Sequence, residues 1–179
     1  MRYKYYNKSN QSEIIAQVDN NDKVIGRLSR KEVHDSGILH REVGVWFLNK
    51  KGEILVQIRA DNKHFDHTAG GHFPYSESYK QAAVREVEEE IGFSIKPKKL
   101  KRFGKRLIET KKEMRSHIRY LTLFTIRGDY KVNQFNPAEE VHRLKFYSPS
   151  NLLAMIRKSP ESFTNGFATL LQEVYGKSQ

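Results

Sequence analysis

The sequence predicts a mixed α/β protein, and three observations carry that prediction. Apolar, strand-like segments lie at Val43 to Leu48 and Glu53 to Arg59, either side of the turn Asn49-Lys50-Lys51-Gly52. A helix carrying Arg85-Glu86-Val87-Glu88-Glu89-Glu90-Ile91 lies mid-chain and stops at Gly92, a residue suited to the left-handed position that ends a helix. Two further helices are opened by Pro149 and Pro160, and proline is well placed in a first helical turn. Composition and periodicity alone reach no further than mixed α and β.

The elements follow in order. Ile14 to Val18 and Val24-Ile25-Gly26 form a hairpin around the turn Asp19-Asn20-Asn21-Asp22. Ser29 caps a short helix through His34, with Glu32 as its capping-box partner and Ser36-Gly37 as its end. In the strand Glu53 to Arg59, Gln57 and Arg59 alternate with Val56 and Ile58, the period of a strand with one buried face. Asp61 to Ala69 reads as a loop, followed by Gly70-Gly71, a pair that lets backbone approach a ligand closely. After the acidic helix, Lys96 to Lys99 is a basic loop. Leu100 to Ile108 and His117 to Arg127 are strands joined by a charged connection over Glu109 to Ser116. A long loop, Gly128 to Glu140, leads to a last strand, Val141 to Tyr147. The closing helices run from Pro149 to about Arg157 and from about Pro160 to Tyr175.

The 179 residues are 37% hydrophobic and 30% charged, which suits one globular domain with a substantial core. No apolar run approaches the roughly 20 residues of a membrane helix. The N-terminal MRYKYYNKSNQSE lacks the apolar stretch of a secretory signal, so a cytoplasmic location and no membrane partner are expected. The absence of cysteine excludes disulfides, thiolate metal sites and a cysteine nucleophile. With 32 basic against 21 acidic residues the formal charge is +11, which attracts polyanions: nucleic acid, or a small phosphorylated substrate. The basic residues are dispersed, clustering only at Lys96 to Lys105 and Arg106 to Arg119. No aromatic-spaced nucleic-acid motif accompanies them, so no dedicated nucleic-acid partner is expected.

The acidic helix carries the chemistry. Residues three and four apart are neighbours on a helix, so Glu86, Glu89 and Glu90 share a face. Crowded carboxylates repel unless a cation sits among them, and such hard oxygen donors suit Mg²⁺ or Mn²⁺. Val84, Val87 and Ile91 form the core stripe, and Glu88 faces solvent. The stretch GHFPYSESYKQAAVREVEEEIGF places Gly71, Glu77, Arg85-Glu86, Glu89-Glu90, Gly92 and apolar Phe93 in a fixed spacing.

That spacing resembles the signature of the Nudix hydrolase family at every defined position. The resemblance implies a three-layer α/β/α sandwich with a mixed sheet. In this reading 39–150 form the core, 1–38 an N-terminal hairpin and short-helix extension, and 151–179 the C-terminal helices. It implies metal-dependent hydrolysis of a diphosphate linkage in a nucleoside di- or triphosphate or a related nucleoside diphosphate derivative. Mg²⁺ is the implied cofactor, with Mn²⁺ an alternative. Glu86, Glu89 and Glu90 would hold the ion with the Gly71 backbone; Glu89 could instead be the general base. Arg85 would pair with Glu77 and orient the catalytic turn, although Glu77 also suits the helix dipole. Arg59, Lys63, His64 and His72 are candidate substrate contacts, and Phe65 or Phe73 could stack on a base; each is equally readable as surface or core. Glu139 and Glu140 stand where some relatives place an extra carboxylate, or are turn residues. A homodimer is left open.

A second likeness covers residues 13 to 150. Val24 to Arg27, His34 to Arg41, Val45 to Leu48 and Gly71-His72-Phe73 resemble the isopentenyl-diphosphate isomerase branch of the superfamily. That branch implies a metal site of His and Glu residues, matched here by His34, His40 and His72, and a cysteine just before the Gly-His. Here Gly70 stands at that position, and His117 and Arg119 stand where the carboxylates are expected. The three histidines are therefore either a Zn²⁺ or Mn²⁺ site or hydrogen-bonded structural residues. The missing thiol disfavours isomerisation, the intact glutamates favour hydrolysis, and a non-catalytic nucleotide- or RNA-binding module is a third reading.

Overall fold

The computed structural model describes residues 11–112 and 115–176. Residues 1–10 of the N-terminal extension lie outside the described residues, as do 113–114 and 177–179. The elements are β1 (Ile14–Val18), β2 (Val24–Ser29), α1 (Arg30–Asp35), β3 (His40–Leu48), β4 (Ile54–Arg59), β5 (Phe65–Asp66), β6 (Ala69–Gly71), α2 (Tyr79–Ile91), β7 (Lys101–Lys112), β8 (Arg115–Arg127), β9 (Val141–Tyr147), α3 (Pro149–Lys158) and α4 (Asn165–Tyr175).

The fold is a mixed sheet between helices. Its main path runs β5-β4-β3-β8-β7, with β6 paired to β3 and β9 to β4. β3 and β8 are parallel, His40 opposite Arg119 through Leu48 opposite Arg127; the other pairings are antiparallel. Side chains alternate across a strand, so β3 feeds two cores. Val43, Val45 and Phe47 pack with Ala83, Val87 and Ile91 of α2. Trp46 and Leu48 pack with Leu152 and Ile156 of α3 and Phe167 and Leu171 of α4. Burial on both faces is why β3 reads as an unbroken apolar run.

The local signals act as read. Ser29 and Glu32 form a reciprocal capping box on α1; Ser78 and Gln81, not singled out above, do the same on α2. Gly92 ends α2 at φ 58°, and a Cβ there would stand 2.3 Å from the Asn136 carbonyl oxygen. The β1–β2 hairpin is fastened by its turn: Asp22 receives Arg41 (2.7 Å) and Lys105 (2.7 Å), and Tyr79 donates to it as well.

Four expectations are corrected. Residues 61–69 are not a plain loop: β5 pairs with β4, and Ala69 opens β6. The connection placed over Glu109 to Ser116 is mostly strand, because β7 and β8 pair as far as Lys112 opposite Arg115. The last helix begins at Asn165, since Pro160–Ser162 makes only a 3₁₀ turn before the extended Phe163 and Thr164. β4 is buried on both faces from Ile54 to Gln57; Gln57 is drawn inside by a carboxylate on α2, described below. Among the described residues no helix is long and apolar enough to cross a membrane.

Candidate functional site

The helix α2 presents Glu86 and Glu89, but not Glu90, to a cleft of about 640 Å³ between its own face, the N-terminal hairpin and the ends of β3, β4 and β6. Such a volume suits a small-molecule ligand. Arg85 is the hub. Its Nε donates to both Glu77 oxygens (3.0 and 3.1 Å), and its Nη1 donates to Glu86 (3.0 Å) and Glu89 (2.8 Å). The expected Arg85–Glu77 pair is thus in place, tying the loop before α2 to the glutamate face. The surrounding carboxylates hold the guanidinium firmly charged: its pKa is raised even against the cost of burial.

The three glutamates share a face but not an environment. Glu86 is nearly enclosed, with 5% of its side chain exposed, and lines the cleft. Glu89 also lines it; burial raises its pKa, and Arg85 opposes that rise. Glu90 is 1% exposed and turned toward the sheet, where it accepts from Gln57 Nε2 (2.5 Å) and the Gly70 amide (3.3 Å). Gly71 lines the cleft beside them, and Glu88 is exposed as expected.

Of the other expected contacts, Arg59 and His72 line the cleft, with Arg59 held by Asp61 (2.9 Å) and Asp66 (3.4 Å). Lys63 does not line it: its left-handed backbone (φ 61°) carries the side chain back onto the Ala60 carbonyl (3.0 Å). His64 also lies outside the lining. Neither aromatic is available for base stacking. Phe65 stacks on Phe163 at 4.9 Å between centroids, and Phe73 is buried against Tyr79. Glu140 lines the cleft and Glu139 does not.

The sequence reading missed Glu13, Arg30 and Glu42 in the cleft. Glu13 comes from the residue before β1; burial raises its pKa, opposed first by Arg30. Glu42 is bound by Arg119, whose charge overcomes burial and holds the carboxyl at about 2. In total the lining carries seven carboxylates (Glu13, Glu42, Asp61, Asp66, Glu86, Glu89, Glu140) against three guanidiniums (Arg30, Arg59, Arg85). A protein of net charge +11 therefore presents an acidic cleft.

Behind His72 lies a second cluster. His34 of α1, His40 of β3, His72 just beyond β6 and His117 of β8 bring their ring nitrogens together, one atom from each, all within 4.8 Å of one another. The expected trio is assembled, and His117, standing where the isomerase likeness expects a carboxylate, joins it. The signal was a strand period: His40 and Glu42, like His117 and Arg119, are polar residues two apart at the starts of two strands that pair.

Burial is the main reason these rings resist protonation. His40 is held at about 4 and His117 at about 3, and His34 and His72 are lowered too. Unfolded histidines titrate near 6.5. The unfolded chain therefore binds protons that the folded one refuses, so this stability is present above pH 6.5 and lost as pH falls toward about 3. The metal-free protein is expected to lose about 3 kcal/mol between pH 7 and 4 from His40 alone, at roughly 1.36 kcal/mol per tenfold change in proton affinity. Urea unfolding across that range measures it, and a midpoint independent of pH would refute it.

Residues 38–167 match the NUDIX domain family. An isopentenyl-diphosphate Delta-isomerase of Serratia proteamaculans is 31% identical over 90% of this chain and 91% of its own. An uncharacterized Nudix hydrolase of Pseudomonas aeruginosa is 30% identical over 83% of this chain and 86% of its own. A crystal structure of a Deinococcus radiodurans protein, DR0079, superposes with a TM-score of 0.70 at 20% identity, over 91% of this chain and 99% of that one.

Proposed function

The chain belongs to the Nudix family, and on that footing we propose that it hydrolyses a nucleoside di- or triphosphate, or a related nucleoside diphosphate derivative, with Mg²⁺ held by Glu86, Glu89 and Glu90. Diphosphate-cleaving hydrolysis is the family's general activity; the nucleoside substrate, the ion and the ligand set are this proposal. Mn²⁺ is an alternative ion, and the same reading expects a cytoplasmic protein and leaves a homodimer open.

The acidity of the cleft carries the reading. Seven carboxylates facing three guanidiniums would repel a diphosphate, because unit charges of like sign at 4 Å cost about 4 kcal/mol in surroundings of intermediate dielectric. A site for an anion must gain positive charge before it can work. Hard carboxylate oxygens on one helix face are the donors that Mg²⁺ prefers. When bound, the ion supplies charge for the phosphate oxygens and acidity for a water.

The chain's own groups do the rest. Arg85 fixes Glu86 and Glu89 in position through one nitrogen, Nη1, of its guanidinium. Glu89, which lines the cleft beside Glu86, would either complete the ion's ligand set or instead take the proton of the attacking water. Gln57 and the Gly70 amide hold Glu90 to the sheet, and Arg59 at the cleft wall offers a cation to a phosphate.

Isomerisation is the second reading, favoured by the 31% identity to a named isomerase. It is opposed by the absence of cysteine and by the shape of position 70: a Cβ on Gly70 would stand 2.3 Å from the Val43 carbonyl oxygen. The deciding experiment is a phosphate-release screen with Mg²⁺ or Mn²⁺. It covers nucleoside di- and triphosphates, nucleotide sugars, dinucleoside polyphosphates and isopentenyl diphosphate. Metal-dependent release from a nucleotide is expected; silence over the whole panel would overturn the proposal.

A further inference from the structure

The cleft is acidic while the chain carries a formal charge of +11, so the positive excess lies on the rest of the surface. Part of it is gathered at one edge of the sheet. β7 ends the sheet path, so its outer side has no strand partner among the described residues. Lys96 and the 3₁₀ turn Pro97–Lys99, with Lys98 and Lys99, lead into β7, which Lys101 and Arg102 open. All five cations are exposed. The next two along the strand, Lys105 and Arg106, are bound by Asp22 and Glu173; no carboxylate among the described residues binds the five.

Beyond Arg102 the strand is irregular. Arg102 faces Phe124 and Gly104 faces Leu123, so Phe103 is one residue more than β8 can match. A bulge of this kind re-aims a side chain. Phe103 is turned to solvent, 53% exposed. Lysine on an edge strand is an ordinary guard against pairing with another chain. That accounts for Lys101. It does not account for three lysines ahead of the strand, nor for a large aromatic on the same edge, which such guarding avoids. The sequence reading sets this cluster aside for want of aromatic spacing; the bulge supplies an aromatic that no spacing announces.

We propose that this edge docks single-stranded nucleic acid, its phosphates on Lys96, Lys98, Lys99, Lys101 and Arg102 and one base stacked on Phe103. A cationic track beside an aromatic face binds a single strand without reading its sequence, because every base has a π-face. Unstacked bases that can reach such a face belong to single strands. A second copy of β7 is disfavoured, since pairing would set like charges against each other. A bilayer is disfavoured because interfacial binding scales with buried apolar area, and one phenylalanine supplies little. The edge lies outside the cleft lining, so the inference does not depend on the hydrolase reading.

The test is fluorescence anisotropy of a labelled oligouridylate of about 12 nucleotides with the full chain, in EDTA so that no metal draws phosphate to the cleft. Between about 50 and 200 mM salt the logarithm of affinity should fall with a slope of about −3 against the logarithm of salt, near 0.7 per phosphate neutralised. Lys99→Gln and Lys101→Gln should each flatten that slope by about 0.7. Phe103→Ala, at an exposed position, should weaken binding by about 5- to 150-fold with the slope unchanged, and Phe103→Trp should preserve binding. No binding at about 50 mM salt, or Phe103→Ala binding as wild type, would overturn the proposal. Equal competition by polyglutamate would overturn it in favour of an acidic protein partner. Tighter binding to phosphatidylserine vesicles than to the oligonucleotide would overturn it in favour of a membrane surface. Each readout is the same whether or not hydrolysis is found.

Discussion

Glu89→Gln and Glu90→Gln are each expected to lower metal-dependent turnover by about 10²–10⁴-fold, roughly 2.7–5.4 kcal/mol of barrier, while the protein folds as wild type. The two variants lose activity for different reasons. Glu89 lines the cleft with a raised proton affinity, and an amide there can neither take a proton nor offer a charged ligand. Its ion pair with Arg85 is only partly buried and adds little to stability. Glu90 is buried and engaged by the Gln57 amide and the Gly70 N–H. A glutamine can still accept one of those bonds, so the variant is expected to fold at a cost of about 1–3 kcal/mol for the donor left unpaired, while the charge on that face is lost. Glu88→Gln, at an exposed position on the same helix, is the internal control and should change turnover less than twofold. Initial rates over a Mg²⁺ titration, with circular dichroism for the fold, measure all three. Turnover near wild type in Glu89→Gln and Glu90→Gln would refute the assignment of chemistry to α2.

What was legible in the sequence was local. The cap at Ser29, the stop at Gly92 and the common face of Glu86 and Glu89 depend on residues about a turn apart. The hairpin of β1 and β2 also announces itself through its turn. The misreadings arise where distant segments meet. His117 reaches His40 because β3 and β8 pair in parallel across 77 positions, and a parallel register leaves no local trace. Glu13 and Arg30 reach the cleft because the N-terminal hairpin folds back on it, its Ile14 carbonyl accepting from the Tyr75 amide in the segment before α2. Lys63, Phe65 and Phe73 failed in the opposite direction. Each is the right chemical type in the right stretch, but a turn onto Ala60, a stack on Phe163 and burial against Tyr79 remove them from the cleft. Gln57 shows the remaining gap: period-2 alternation marks a solvent face only when nothing across the sheet wants the polar group, and Glu90 does.

Gly70→Ala is expected to destabilise the protein by about 3–5 kcal/mol, combining overpacking against backbone with an unfavourable φ. At roughly 2–4 °C per kcal/mol for a chain of this size, the unfolding temperature should fall by about 6–20 °C. Gly70 pairs with Gly44 on β3 at φ 157°, and the added Cβ would meet the Val43 carbonyl oxygen at 2.3 Å and Gly44 Cα at 3.0 Å. Both obstacles are main chain, so no rotamer change relieves them. Gly52→Ala separates the two contributions. Gly52 also has positive φ (76°), but nothing lies within 4 Å of its added Cβ, so that variant carries conformational strain alone, about 1 kcal/mol. The larger loss at Gly70 bears on chemistry as well as stability. Its amide donates to Glu90, so moving β6 away from β3 moves a donor off the carboxylate proposed to hold the metal. It also bears on the isomerase reading, because a thiol at this position requires the same Cβ. If Gly70→Cys unfolded at the wild-type temperature, the steric ground against that reading would be gone. Isomerisation by the variant would then have to be assayed directly with isopentenyl diphosphate.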